Sequence, residues 1–158
     1  MRDRKTNSSI QKQRGASLVE LAAIVTFLLL LTLGVIDFGR GYYLGIEVAN
    51  AANAGAQYGL QNPGDGSLIT DMAQAAKNDA ADVTSWAGGY PQAVTGCMCS
   101  DGSQQSVNCG TTPNCTAGTQ EVSYVTVQTR ATYTPMFPWP GVPASITLNG
   151  SATYWTGQ

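Results

Sequence analysis

Between Ala16 and Ile36 the chain carries a single charge, Glu20, in a run that is otherwise mostly apolar. As a helix rising about 1.5 Å per residue, this run matches the roughly 30 Å hydrocarbon core of a bilayer. Few other folds accept a stretch of this kind. A carboxylate inside it costs about 2.5–3.5 kcal/mol on insertion scales. Glu20 is therefore read first as functional. A secretory signal peptide is the rival reading, but its apolar core is shorter, about 7–15 residues, and a small-residue cleavage site follows it. Here Asp37-Phe38-Gly39-Arg40 follows directly. The run is read as a retained membrane helix, and the chain as crossing the bilayer once.

Charge is scarce and unevenly placed. Arg2, Arg4, Lys5, Lys12 and Arg14 precede the apolar run with one acidic residue, Asp3, among them. From Gly15 onward, Glu20 included, acidic residues outnumber basic ones by nine to three. A basic head puts the N-terminus in the cytoplasm and the acidic body outside, by the positive-inside rule. An acidic body also argues against nucleic-acid binding, which draws on a basic face. There is no His for a catalytic triad or general base, no phosphate-binding Gly-rich loop and no G-x-S-x-G elbow. No enzyme activity, small-molecule substrate or cofactor is expected.

Cys97, Cys99, Cys109 and Cys115 are the only cysteines. Outside the cytoplasm thiols oxidise, so two disulfides are expected. Four cysteines allow three pairings, of which Cys97 with Cys99 would close a very tight ring. The other two stay open. A four-thiolate zinc site is the alternative, but C-x-C…C-x5-C is not a usual zinc spacing. No metal is expected.

Residues 1–14 lack apolar periodicity and read as a disordered leader. A single helix is expected over 16–60, with Tyr42 and Tyr43 at the membrane interface. Gly39, Gly41, Gly45, Gly55 and Gly59 are costly in a soluble helix but suit close packing. The cluster Asn62-Pro63-Gly64-Asp65-Gly66 ends that helix. Ser67 then caps a second, amphipathic one running to about Trp86, with Leu68, Ile69, Met72, Ala73, Ala76, Ala80 and Val83 on its apolar face. Asp71, Asp79 and Asp82 form its solvated side. Residues 97–120 read as a polar loop that needs staples.

From Val125 the period changes to two. Val125, Val127, Ala131 and Tyr133 alternate with Thr126, Gln128, Arg130 and Thr132. Ile146, Leu148, Ala152 and Tyr154 alternate with Thr147, Asn149, Ser151 and Thr153. These are two half-buried strands, and a weaker one is expected over Gln92–Met98. The predicted class is α+β. A long N-terminal transmembrane helix and a second amphipathic helix pack on a small antiparallel sheet with a disulfide-stapled loop. Between the strong strands, Pro135–Pro143 holds four prolines and must be extended and irregular. Met136, Phe137 and Trp139 on it are read as a lid over the core, with a contact patch as the alternative.

Three blocks now bear comparison with a known family. Arg14-Gly15-Ala-Ser-Leu-Val-Glu20, Gly34-Val-Ile-Asp37-Phe38-Gly39-Arg40-Gly-Tyr42, and Asn50-Ala-Ala-Asn-Ala-Gly55-Ala-Gln-Tyr58 resemble the TadE-like family. These are pilin-like proteins of the tight-adherence (Flp, type IVb-like) pilus system. The Cys99 loop and the Tyr133–Pro143 connector are similar to that family's outer domain. The resemblance implies a pilin-like fold and a minor pilin or pseudopilin of the inner membrane. It also implies cleavage after Gly15 by a prepilin peptidase, with other pilins or pseudopilins as partners. One departure is Leu21, where an aromatic often follows the Glu at such processing sites.

On that reading residues 1–15 are a basic cytoplasmic leader, 16–60 the helix and 61–158 an extracytoplasmic α+β domain. Gly15 and Ala16 flank the processing site. Glu20 is a register device whose carboxylate meets an α-amine freed at Ala16. Asp37 and Arg40, three apart on a helix, can pair and mark the membrane boundary. With Met136, Phe137 and Trp139 they are candidate partner contacts. Two other readings stand beside this one. In the first, the chain is an uncleaved, anchored envelope protein that binds or adheres through the stapled loop and connector. In the second, it is a pseudopilin of a type II secretion system.

Overall fold

The computed structural model describes residues 6–63, 66–110, 115 and 118–156. Helix α1 spans Thr6–Gln61 and α2 Leu68–Asp79. The strands are β1 (Gln92–Cys99), β2 (Gln105–Ser106), β3 (Glu121–Tyr133) and β4 (Ile146–Thr156). The fold is α+β with one membrane-spanning helix. The chain divides into two compact units, the first ending at Arg40 and the second beginning at Gly41.

In the first unit the apolar run is helical and none of it is buried by protein. Its two threonine hydroxyls bond within the helix. Thr26 Oγ1 donates to the Ala22 carbonyl at 2.8 Å and Thr32 Oγ1 to the Leu29 carbonyl at 2.9 Å. That is what a hydroxyl in a water-free environment requires. The leader departs from expectation, because Thr6–Arg14 is helical and not disordered. Extending an existing helix is far cheaper than nucleating one, and no Pro or Gly interrupts Thr6–Arg14. Residues 1–5 lie outside the described residues.

The second unit is built around the sheet, in the order β2-β1-β3-β4 with every pairing antiparallel. Val127 stands opposite Ala93 on one side and Ala152 on the other. Along β3 the residues Val125, Val127, Thr129, Ala131 and Tyr133 are buried, as period-two reading predicts, with Thr129 the one aliphatic hydroxyl among them. Against them pack Val48, Ala51, Ala52 and Ala56 of α1 and Met72 and Ala76 of α2. The α1 contribution is almost all Ala, so the helix axis can approach closely. A Cβ on Gly55 would stand 2.6 Å from the Met72 carbonyl oxygen, and one on Gly150 would stand 2.6 Å from that of Val48. Gly41 and Gly59 are similarly crowded, whereas Gly39 and Gly45 face open space. Thr129 Oγ1 donates to the Val48 carbonyl at 2.7 Å, pinning helix to sheet with its one buried hydroxyl.

Several expectations need correction. Helix α2 stops at Asp79, not near Trp86. Beyond it the backbone joins the sheet. Ala87 N–H donates to the Arg130 carbonyl, Thr132 N–H to that of Ser85, and Trp86 bridges to Ala131. Ladder bonds with β3 and burial of Ala80 and Val83 outweigh two more helical turns. Ser67 makes no side-chain cap; its hydroxyl donates to the Asp71 carboxylate. Ile69 and Ile146 are exposed. The weak strand is an inner one reaching Cys99, and the polar loop contains a further short strand, β2.

Candidate functional site

Gly15, Ala16 and Glu20 are exposed on α1. No atom lies within 4 Å of where a Cβ on Gly15 would be. Ala16 and Glu20 are one helical turn apart and so share a face, at about 5–6 Å between Cβ atoms. The large side chains that follow are also uncovered, Leu18, Val19, Leu21, Ile24 and Phe27 among them. Asp37 and Arg40 differ from one another. Asp37 is only 4 % exposed, while Arg40 is exposed.

The connector does not form a lid. Met136 is 60 % and Phe137 42 % exposed, and neither they nor Trp139 belong to the buried core. Phe137 and Trp139 meet edge to face, with ring centroids 6.1 Å apart. With prolines on both sides, the segment cannot fold back onto the sheet as an extra strand. Met136 and Phe137 thus face outward, with Trp139 half-buried beside Phe137.

The cysteines pair as Cys97–Cys109 and Cys99–Cys115, each with Cα atoms 5.6 Å apart. Both bonds tie the end of β1 to the loop after β2. Two residues that sequence reasoning missed help hold this loop. Glu121 Oε1 accepts the Gly110 N–H at 2.9 Å. Asp101 Oδ1 accepts both the Ser103 hydroxyl at 2.6 Å and its N–H at 2.9 Å. The Ser103 hydroxyl, and then its N–H, hold the Asp101 carboxyl below its usual range. Asp101-Gly102 was a legible turn signal; Glu121 carried none. Cys97, Cys109 and Glu121 have ligand-type atoms within 4.8 Å of one another, but the two sulfurs are bonded to each other and offer no thiolate to a metal.

An open cavity of about 520 Å³ lies between the start of α2 and strands β1 and β3. Among the described residues, Ser67, Thr70, Thr95, Ser123 and Tyr124 supply its polar lining, and none that lines it carries a charge.

The arrangement on α1 combines a small residue at the start of an uncovered apolar helix, a carboxylate one turn in, and a tightly packed Ala/Gly half that follows. Residues 15–57 match the family model of the TadE-like protein. This TadE-like segment begins at Gly15, spans the whole apolar run and ends among the Ala residues that meet the sheet. The family is associated with Tad pilus systems and is typically structural, not enzymatic. The sheet, the stapled loop and the connector lie outside the matched residues. No curated protein and no solved structure gave a match. The TadE-like helix anchors the protein in a membrane.

Proposed function

We propose that this protein is a minor pilin or pseudopilin that takes part in assembling a tight-adherence pilus. It is inserted in the inner membrane with its N-terminus in the cytoplasm and its sheet domain in the periplasm. A prepilin peptidase cuts it after Gly15. The observation that carries the reading is the TadE-like match starting at Gly15, on a helix whose apolar face is wholly uncovered.

Cleavage would free an α-amine on Ala16, ordinarily protonated at neutral pH with a pKa of about 7.7–8. Glu20 lies one turn away on the same face. In low dielectric a carboxylate is far better placed beside an ammonium than alone, even though the pair as a whole loses hydration. Between neighbouring subunits, only the correct axial stagger brings the two together. Arg40, Met136, Phe137 and Trp139 are the further positions we assign to contacts with other pilins or pseudopilins, whereas Asp37, buried in the chain itself, is withdrawn from that set.

Intact mass and N-terminal sequencing of the protein from host membranes test the processing step. The expected chain begins at Ala16. A chain that retains residues 1–15 removes the partner amine and leaves the alternative, an uncleaved anchored protein that binds through its exposed connector. Glu20→Ala is expected to leave membrane insertion intact and to abolish assembly, counted as pili per cell. Normal pilus numbers in this variant would sink the register argument.

A further inference from the structure

One face of the sheet is covered by the helices. Because Val127 and Thr129 face that way, Tyr124, Thr126, Gln128 and Arg130 of β3 face the opposite way. Their β4 partners Trp155, Thr153, Ser151 and Asn149 do the same. We propose that this open face binds an uncharged polysaccharide chain.

At one end it presents an aromatic platform. Trp155 is 58 % exposed and stands directly opposite Tyr124 across the two strands. Its indole N–H donates to Met98 Sδ at 3.2 Å, which fixes the ring. Gly96 stands on the other side of Tyr124, and a Cβ there would come within 2.9 Å of the Tyr124 Cζ. The glycine thus lets the phenol ring lie down across β1. At the other end a shallow cavity of about 220 Å³ is lined by Tyr90, Gln128, Arg130, Asn149 and Ser151. The Thr126 and Thr153 hydroxyls, bonded to one another at 2.8 Å, bridge the two. From Trp155 to Asn149 the strand runs about 20 Å, enough for several linked sugar rings.

The chemistry of this strip selects its ligand. A pyranose ring has C–H groups on its faces, which lie favourably against the negative π-face of an aromatic ring. Its rim is hydroxyls, which match the amides of Gln128 and Asn149 and the hydroxyl of Ser151. On these strands the outward face has one charge, Arg130, and that is already engaged. Its Nε donates to Asn149 Oδ1 at 2.9 Å and its guanidinium lies 4.7 Å from the Tyr90 ring centre. Nucleic acids and acidic glycans, which need a basic field, have little to bind here. The inference is independent of whether residues 1–15 are removed.

The test uses the full chain in phosphatidylcholine nanodiscs, which avoids sugar-based detergents. Calorimetric titrations with cellohexaose and chitohexaose are expected to show saturable binding, with a heparin hexasaccharide as the charged control. Trp155→Ala should weaken binding by at least about tenfold, the equivalent of about 1.4 kcal/mol. Ser151→Arg, at an exposed position, should block it without touching the core. Circular dichroism checks that each variant is folded. The proposal is overturned by absence of binding to both neutral hexasaccharides at about millimolar concentration, by unchanged binding in folded Trp155→Ala, or by preference for heparin.

Discussion

Helix α1 has two halves whose apolar side chains differ in size. From Leu18 to Ile36 it carries Leu, Val, Ile and Phe, and these side chains stay uncovered. From Val48 to Gly59 the inward positions are Val, Ala and Gly, and they are fully buried. Lipid tails are as apolar as Leu, so the first half gains from bulk wherever it points. The second half must let a sheet come close, and the gain comes from contact density at short range. One continuous helix thus answers two solvents, lipid and protein, with large residues for one and small ones for the other.

The packed half is only as sound as the sheet it meets, and the staples at the end of β1 give the largest expected effect. Replacing Cys99 and Cys115 by Ser opens a loop of sequence separation 16. Denaturant unfolding of the outer unit should lose about 3 kcal/mol. Unchanged stability would mean that helix–sheet contact alone suffices. Glycines give the next test, because two in the same helix should respond with opposite signs. Gly55→Ala pushes a Cβ against the Met72 carbonyl and should cost about 1–3 kcal/mol. Gly45→Ala meets open space and should stabilise by about 0.5–1 kcal/mol. Equal effects at the two sites would break the comparison.

On the other side, Leu29→Ala should change unfolding of the outer unit by less than about 0.5 kcal/mol. It should weaken membrane insertion by a similar small amount. A large loss of fold stability would mean that the first half is packed on protein after all. The smallest expected effect lies in the stapled loop. The Asp101 carboxyl is held below its usual value of 3.8 by Ser103. Its contribution to the turn is therefore complete above that value and is lost as pH falls through the lowered one. The Ser103 amide resonance, followed against pH, should titrate with a midpoint below 3.8. A midpoint at or above the usual value would show that the turn does not hold the charge.

The elements that were legible in the sequence are those whose signal is local. The apolar run and the two strong strands carry their periods within a dozen residues, and a period needs no knowledge of neighbours. The same holds for the end of α1 at Gln61, beside the Asn62-Pro63 turn signal. The missed features depend on what arrives from elsewhere in the chain. The strand expected over Gln92–Met98 does form, and only its inner place and its extra residue were missed, because the full ladder comes from β3. Helix α2 looked longer because Ala80 and Val83 keep the helical spacing, yet their neighbours Ser85–Ala87 find better backbone partners on β3.

By itself, then, the sequence determined a membrane helix with a carboxylate near its start, an α+β class, a period-two sheet with one polar face, and an oxidised cysteine loop. Tertiary structure alone decided which cysteines pair, since two sulfurs bond only where the backbone brings their Cα atoms within reach. It also decided that Met136 and Phe137 of the connector are exposed and that Asp37 is buried while Arg40 is not. Burial is a property of the space around a residue, and that space is filled by segments whose distance along the chain no local pattern encodes.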